Sequence, residues 1–137
     1  MPSKPKVQLK DIGLDIGLAF AKHVYKTDYL HYGIWPEGLK VEPGNVLEAQ
    51  TNYAYLLLEN IPAGVESILD VGCGSGKFTE QLLDAGFKVE AVSPSPHLSE
   101  IVLSRLGDRA RLHQCRYEDL TTDSRFDLIL FSESFQY

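Results

Sequence analysis

Apolar residues recur at helical spacing in two segments of the amino-terminal half of the chain. One segment covers residues 11–26 and the other covers residues 46–60, and each places an apolar stripe on one face of a predicted helix. Asn45 stands immediately before the second segment, where an asparagine side chain commonly caps a helix. Residues 27–44 combine aromatic side chains with two prolines and are predicted to form a loop.

The second half of the chain alternates between short aliphatic runs and helical patterns. Aliphatic and β-branched runs of this length are typical of buried parallel strands, and strands separated by helices form a parallel sheet through right-handed crossovers. Ser95 and Pro96 are favoured as the cap and the first residue of one of these helices. The predicted strands are 67–71, 88–92, 110–114 and 126–131, and the predicted helices are 77–85 and 96–106.

The composition is that of an acidic globular domain, with 44% hydrophobic residues and a formal net charge of −6 over 137 residues. Because basic residues are scattered, nucleic acid is not an expected partner. No apolar run is long enough for a bilayer and the first residues do not resemble a secretory signal, so we expect no membrane association and a cytoplasmic location. Cys73 and Cys115 end two predicted strands separated by a third and are expected to be free thiols, with no metal site.

A glycine-rich loop joins the first predicted strand to its helix. Residues 70–76 read Asp-Val-Gly-Cys-Gly-Ser-Gly. Glycines at alternate positions allow tight turns and let a ligand approach the backbone, while the next helix directs its free N–H groups towards the loop. The spacing fits neither the dinucleotide fingerprint, since Lys77 or Thr79 replaces its last glycine, nor the Walker phosphate loop. A loop that only packs the strand on its helix is the alternative.

Residues 68–76 closely resemble the first motif of class I S-adenosylmethionine-dependent methyltransferases. The resemblance extends through residues 126–130, which are similar to the fourth strand of that family, and covers about residues 65–137. It implies an α/β fold with a Rossmann-like parallel sheet in the strand order 3-2-1-4, truncated here after the fourth strand. It also implies S-adenosyl-L-methionine as the cofactor, with Asp70 orienting the amino group of that molecule.

The same resemblance places further cofactor contacts at the ends of the next strands. Ser93 stands where the family usually has a carboxylate for the ribose hydroxyls, and Arg116 stands where it often has an acidic residue near the adenine. Glu118, or the backbone of Tyr117, is the expected substitute at the second position. The residues assigned to cofactor binding are Tyr32, Trp35, Asp70, Gly72, Cys73, Gly74, Gly76, Ser93, Tyr117, Glu118 and Ser132.

Residues 31–35, which read His-Tyr-Gly-Ile-Trp, are similar to the lid of small-molecule methyltransferases, including the cyclopropane synthase and tocopherol methyltransferase groups. In that reading Tyr32 and Trp35 cover the sulfonium, because aromatic faces stabilise cations and exclude water. The alternative is that both only hold the two helices together. His31 is expected to be structural rather than catalytic. The glutamate that cyclopropane synthases carry after the fourth strand corresponds to Gln136, so no catalytic base is assigned.

Together these patterns predict an amino-terminal helical lid, residues 1–64, and a cofactor-binding Rossmann-like half domain, residues 65–137. The predicted function is S-adenosylmethionine-dependent methyl transfer to a small-molecule acceptor. The alternative is a non-catalytic module that binds S-adenosylmethionine or assists assembly. The fourth strand is predicted to be an unpaired hydrophobic edge, which a homodimer could cover through this strand or through exchanged amino-terminal helices.

Overall fold

The chain folds as two helices followed by alternating strands and helices, as its hydrophobic pattern predicts. The computed structural model describes residues 9–135. Its helices are α1 (Leu9–His23), α2 (Val46–Glu59), α3 (Lys77–Asp84) and α4 (Pro96–Leu106). Its strands are β1 (Ser67–Val71), β2 (Lys88–Val92), β3 (Arg111–His113) and β4 (Leu128–Phe131).

The strands form a parallel sheet in the order β3-β2-β1-β4, which confirms the predicted α/β fold and strand order. β1 is paired on both sides, and Leu69 lies opposite Glu90 of β2 and Ile129 of β4. Within the described residues β4 is an edge strand, as predicted. Because parallel strands end at the same edge of a sheet, the loops that follow the strands meet at one place.

Both outer strands are shorter than the predicted runs of 110–114 and 126–131. At β4 the reason is the side chain of Asp127. Its carboxylate Oδ2 accepts hydrogen bonds from the backbone N–H groups of Glu66 and Ser67 at 3.0 and 2.9 Å. These side-chain bonds fix the entry of β4 beside β1, and the regular ladder begins at Leu128, two residues after the predicted start.

One of the two predicted helix caps is confirmed and the other is wrong. Ser95 caps α4, because its Oγ accepts a hydrogen bond from the backbone N–H of Leu98 at 3.2 Å. Asn45 does not cap α2 with its side chain. A short 3₁₀ turn leads directly into this helix, and the Asn45 amide instead donates to the carbonyl oxygen of Lys40 at 2.9 Å.

The two faces of the sheet carry separate parts of the core. On one face Ile68 of β1 packs with Leu82 of α3 and with Ala54 of α2. On the other face Leu69, Val71 and Val92 pack with Phe126 and Phe131, among others. α2 therefore shares a core with the sheet, and the predicted boundary at residue 64 falls in the exposed turn between α2 and β1.

α1 leaves most of its apolar stripe exposed in the described part of the chain. Ile12, Ile16 and Phe20 are 43%, 55% and 51% exposed. Asp15 of this helix pairs with His97 of α4, with 2.7 Å between Oδ1 and Nε2. Of the helices in residues 9–135, none combines the length and the apolar character needed to cross a membrane.

Candidate functional site

A cavity of about 690 Å³ lies at the carboxyl edge of the sheet. Its wall consists of the loops that follow the four strands, together with lid residues 29–32. This volume is in the range of pockets that hold cofactors and other small molecules. The topology thus brings segments from both halves of the chain to one concave site.

The cavity brings together the predicted cofactor-binding residues except Trp35 and Gly76. Trp35 does not line the cavity, and its indole N–H donates to the carbonyl oxygen of Tyr32 at 3.1 Å. Gly76 is the buried residue that precedes α3, and a Cβ there would lie 3.3 Å from Cγ2 of Val102 on α4. These two residues support the wall. The residues that line the cavity are Tyr32, Asp70, Gly72, Cys73, Gly74, Ser93, Tyr117, Glu118 and Ser132.

The glycine loop needs its glycines partly because of protein neighbours. Gly72 has φ +74°, and a Cβ at this position would overlap the side chain of Ser134. Gly74 has φ +56°, and a Cβ there would lie 3.5 Å from Cδ1 of Leu30 in the lid. The sequence indicated tight turns and a ligand beside these glycines, with packing of the strand on its helix as the alternative. The structure adds that the loop after β4 approaches Gly72 and that the lid approaches Gly74.

Asp70, at the end of β1, is a buried carboxyl group on the cavity wall. The hydroxyl of Thr79 on α3 donates to its Oδ2 at 2.6 Å, whereas Oδ1 has no hydrogen-bond partner in the described chain. Burial raises the pKa of Asp70 from 3.8 to about 6, and the Thr79 bond opposes this rise. A buried oxygen without a partner is suited to a cationic or N–H group of a ligand.

Cys73, next to this carboxyl group, is not an activated thiol. Burial raises its pKa well above the ordinary value, and the nearby charge of Asp70 raises it further. Because the thiolate is the nucleophilic form, the side chain serves as a small apolar part of the wall. Cys73 and Cys115 are both free, as predicted.

A cluster of three aromatic side chains forms the cavity wall beyond the ends of β3 and β4. The rings of Tyr117 and Phe131 meet edge to face with centroids 5.3 Å apart, and Phe131 meets Phe135 in the same way at 5.2 Å. Arg116, on the same side, is paired with Asp119 at 3.4 Å. Aromatic groups of this kind suit a flat apolar ring better than a charged group.

Ser93 follows β2 and is buried on the cavity wall. Its backbone N–H donates to the carbonyl oxygen of His113 at 3.1 Å, which fixes its position relative to β3. Ser93 is therefore held at the end of β2, on the cavity wall.

The lid is attached to the sheet by polar contacts that the sequence did not reveal. The backbone N–H of Tyr32 donates to Oε2 of Glu133 at 3.0 Å, and Glu133 has the unusual φ of +55° for a non-glycine residue. Arg105 of α4 pairs with Asp28 at 3.1 Å between Nη2 and Oδ2. The hydroxyl of Ser75 donates to the carbonyl oxygen of Asp28. No local pattern marks these residues, because their partners are distant in sequence.

Steric crowding explains why the lid motif has a glycine at position 33. With φ +81°, a Cβ at this position would lie 2.7 Å from the backbone N of Gln50 on α2. The next residue, Ile34, donates its N–H to the carbonyl oxygen of Ala49 at 2.8 Å. The motif thus docks the lid on α2 by close backbone contact. Gln136, the position predicted to replace the cyclopropane synthase glutamate, lies outside the described residues.

A family model described as a methyltransferase domain matches residues 68–137. The chain belongs to this methyltransferase family. Among curated proteins it is 34% identical over 91 residues to a malonyl-[acyl-carrier protein] O-methyltransferase of Anoxybacillus flavithermus, covering 64% of this chain and 35% of that protein. It is 35% identical over 74 residues to a cypemycin N-terminal methyltransferase of a Streptomyces species, covering 53% and 30%. The chain thus spans about a third of the length of these relatives.

Solved structures show the same fold. A candidate sarcosine dimethylglycine methyltransferase of Galdieria sulphuraria superposes with a TM-score of 0.71 at 19% identity, covering 85% of this chain and 48% of that one. An amino pentose methyltransferase of Micromonospora echinaspora, solved with bound S-adenosylmethionine, has a TM-score of 0.51 at 25% identity and covers 70% and 44%. The cofactor of the second protein is the one expected here from the glycine loop.

Replacing Asp70 by asparagine should stabilise the chain at neutral pH. The pKa of Asp70 is about 6 in the folded chain against 3.8 ordinarily, so the folded state binds the proton more tightly. Ionisation therefore lowers stability as pH rises from about 4 through 6, and the cost persists above that range. At about pH 7.5 we expect Asp70→Asn to raise the free energy of unfolding by on the order of 1–3 kcal/mol, with no gain below about pH 4.

Urea unfolding across this pH range measures the difference. Asp108→Asn, at an exposed position after α4, removes a carboxyl group elsewhere in the chain and is the matched control. A variant Asp70→Asn that is less stable than the parent at neutral pH would contradict the burial argument.

Substitution of the loop glycines should separate backbone strain from steric overlap. Gly74→Ala introduces a side chain at φ +56° with only ordinary contact to Leu30, so we expect a loss of about 1–2 kcal/mol. Gly72→Ala adds overlap with Ser134 and should destabilise the chain more. Denaturant unfolding of both variants tests this order. Adding Ser134→Gly should recover part of the loss in Gly72→Ala and none in Gly74→Ala.

Proposed function

We propose that this chain binds S-adenosyl-L-methionine in the cavity and belongs to an enzyme that methylates a small-molecule acceptor. The observation that carries the proposal is the buried carboxyl group of Asp70, which lines the cavity beneath the glycine loop and has one oxygen without a partner. The amino group of S-adenosylmethionine is a donor of the right charge for this oxygen. When bound, the cofactor supplies a methyl group made electrophilic by the sulfonium.

Each part of the wall has a proposed role toward the cofactor. Asp70 holds the amino group, and the backbone at Gly72 and Gly74 contacts the methionine and ribose parts. Ser93 accepts or donates a hydrogen bond at the ribose, while Tyr117 and Glu118 contact the adenine. Tyr32 covers the sulfonium end, and Cys73 and Ser132 complete the wall. These roles are consistent with the lining of one cavity by all of these residues.

Catalysis in this proposal rests mainly on alignment. Holding the acceptor atom in line with the methyl carbon replaces a bimolecular encounter by an intramolecular one. In this proposal the lid excludes water from the reacting atoms, since the backbone N–H of Tyr32 donates to Glu133 and both residues line the cavity. The division into a lid, residues 1–64, and a cofactor-binding half domain, residues 65–137, describes these two contributions.

The second candidate is a module that binds S-adenosylmethionine without transferring a methyl group. Two residues favour it, since Ser93 is a weaker partner for a diol than a carboxylate and Arg116 is basic where an acidic residue is expected. The fold alone does not exclude a protein that transfers no methyl group. A [4+2]-cyclase has the same fold, with a TM-score of 0.64 at 18% identity over 85% of this chain and 47% of that one.

Calorimetric titration with S-adenosylhomocysteine and with NAD tests the cofactor. Binding of the first and not of the second supports the proposal, and the reverse would refute it. Gly74→Val should abolish the binding of S-adenosylhomocysteine while circular dichroism retains the helical signal, because the larger side chain forces Leu30 and the lid away from the loop. A methyl-transfer screen on this chain beside longer versions of it separates the two candidate functions.

Ser93→Asp should tighten the binding of S-adenosylhomocysteine. A charged acceptor forms stronger hydrogen bonds to the ribose hydroxyls than a serine hydroxyl does, by on the order of 1 kcal/mol, or about fivefold in affinity. Ser93→Asn introduces a side chain of the same size as aspartate but without its charge, and it is the matched control. Weaker binding of the aspartate variant together with unchanged binding of the asparagine variant would show that Ser93 does not face the ribose.

We also propose that two copies associate through β4 or by exchange of the amino-terminal helices. β4 is an edge strand of the described sheet, and Ile129 on it is 44% exposed. Sedimentation over a concentration series should show association of the parent chain, and Ile129→Lys should reduce it, because a charge on an edge strand opposes pairing. Leu103→Lys, on the exposed side of α4, is the control. A parent chain that stays monomeric at high concentration would refute this proposal.

The proposed location is the cytoplasm, and the proposed partners exclude nucleic acid. Both cysteines are free, as in proteins of reducing compartments, and the net charge of −6 opposes binding to phosphates. Fractionation of cells that express the protein and a binding assay with labelled nucleic acid test these two points.

A further inference from the structure

Glu133, in the loop after β4, is a charged side chain that the cofactor roles above leave unused. It is half-buried and lines the cavity. Its backbone has φ +55°, a left-handed conformation that residues with a Cβ seldom adopt and that asparagine or glycine reaches with less strain. Strained backbone of this kind is typical of functional sites, so the glutamate side chain at this position calls for a role.

Two contacts place Glu133 between the lid and the glycine loop. Its Oε2 accepts a hydrogen bond from the backbone N–H of Tyr32 at 3.0 Å. The next residue, Ser134, donates its hydroxyl to the carbonyl oxygen of Val71, and its side chain lies where a Cβ of Gly72 would be. The carboxylate is thus held against the lid, one residue from the contact with the glycine loop. These two segments are the ones to which the proposed function assigns the sulfonium and methionine parts of the cofactor.

The charge of Glu133 has no counter-ion in the part of the chain that the structure describes. The two cations that line the cavity, Lys77 and Arg116, pair with Glu80 at 2.9 Å and with Asp119 at 3.4 Å. The lid N–H donates a hydrogen bond to the carboxylate but does not neutralise it. Because protein surroundings screen a charge less than water does, such a carboxylate attracts a cationic ligand group.

We infer that Glu133 recognises the positive charge of the sulfonium and so favours S-adenosylmethionine over S-adenosylhomocysteine, from its place on the cavity wall, its bond to the lid and its lack of a described counter-ion. The inference rests on the proposed function. The two compounds differ in the methyl group and in the charge that it confers on sulfur. Transfer of the methyl group removes this attraction, since the electron pair of the broken bond stays on sulfur, and release of the product becomes easier.

Binding of the two compounds to a variant without the charge tests this inference. Glu133→Gln keeps a side-chain oxygen that can accept from the Tyr32 N–H but is neutral. We expect the ratio of the Kd for S-adenosylmethionine to the Kd for S-adenosylhomocysteine to rise about fivefold or more over the parent chain, which is the lower end of the attraction between unit charges a few ångströms apart. Calorimetric titration measures both constants. A role limited to holding the lid would change both alike and leave the ratio as it was.

Two further variants separate the charge from the lid contact. Glu118→Gln is the matched control, because it removes another carboxylate of the cavity wall. Glu118 is assigned to the adenine, which both compounds share, so the ratio should not change. Glu133→Ala removes the lid bond as well as the charge. Hydrogen exchange of the Tyr32 amide should therefore be faster in Glu133→Ala than in Glu133→Gln, whereas the ratio should rise in both.

The possible outcomes are distinct. An unchanged ratio in either folded variant of Glu133 would overturn the inference and leave the proposed function intact. An equal rise in Glu118→Gln would also overturn it, because the effect would then belong to the charge of the whole cavity. Failure of the parent chain to bind either compound would instead refute the proposed function. If Glu133→Gln does not fold, Glu133→Ala supplies the same comparison.

Discussion

The burial of β1 between two parallel neighbours is the constraint on which the rest of the structure depends. Ile68 and Leu69 face opposite sides of the sheet and are almost fully buried, so the strand has packing on both faces as well as pairing on both sides. This arrangement fixes where the strand ends. Asp70 and the glycine loop therefore lie at the meeting point of the other loops, which is the place where open parallel sheets bind ligands.

The buried position of Asp70 lowers the stability of the folded chain at neutral pH, although it suits the binding of a cationic ligand. A carboxyl group with a single hydrogen bond is costly to bury in its charged form, and this cost appears as the raised pKa of the side chain. The two cations that line the cavity, Lys77 and Arg116, pair with Glu80 and Asp119. The wall thus retains an unbalanced negative charge, which a cationic cofactor can compensate.

The lid depends on both halves of the chain. Tyr29 belongs to the same apolar cluster as Ile68 and Phe78, and its hydroxyl donates to Gln81 of α3 at 2.7 Å. Glu133, in the loop after β4, holds the opposite side of the lid through the backbone of Tyr32. The apolar contact supplies the free energy of docking, whereas the polar contacts select one orientation. The two imidazole nitrogens of His31 are the polar atoms of the lid that this packing leaves without partners.

The sequence by itself determined the elements, the parallel sheet and the glycine loop. These follow from local patterns, since helical and strand periodicity and a glycine at a positive φ depend on neighbouring residues. The strand order and the family followed from the resemblance around residues 68–76, and the first is borne out by the sheet and the second by the family match.

Tertiary structure alone decided which side chains reach the cavity. The indole of Trp35 bonds to the carbonyl oxygen of Tyr32, the side chain of Asn45 bonds to Lys40 instead of capping α2, and Glu133 accepts from a backbone N–H that is 101 positions away. The unpartnered ring of His31 has the same origin. Such contacts depend on how segments distant in sequence pack against each other, and no local pattern of residues carries that information.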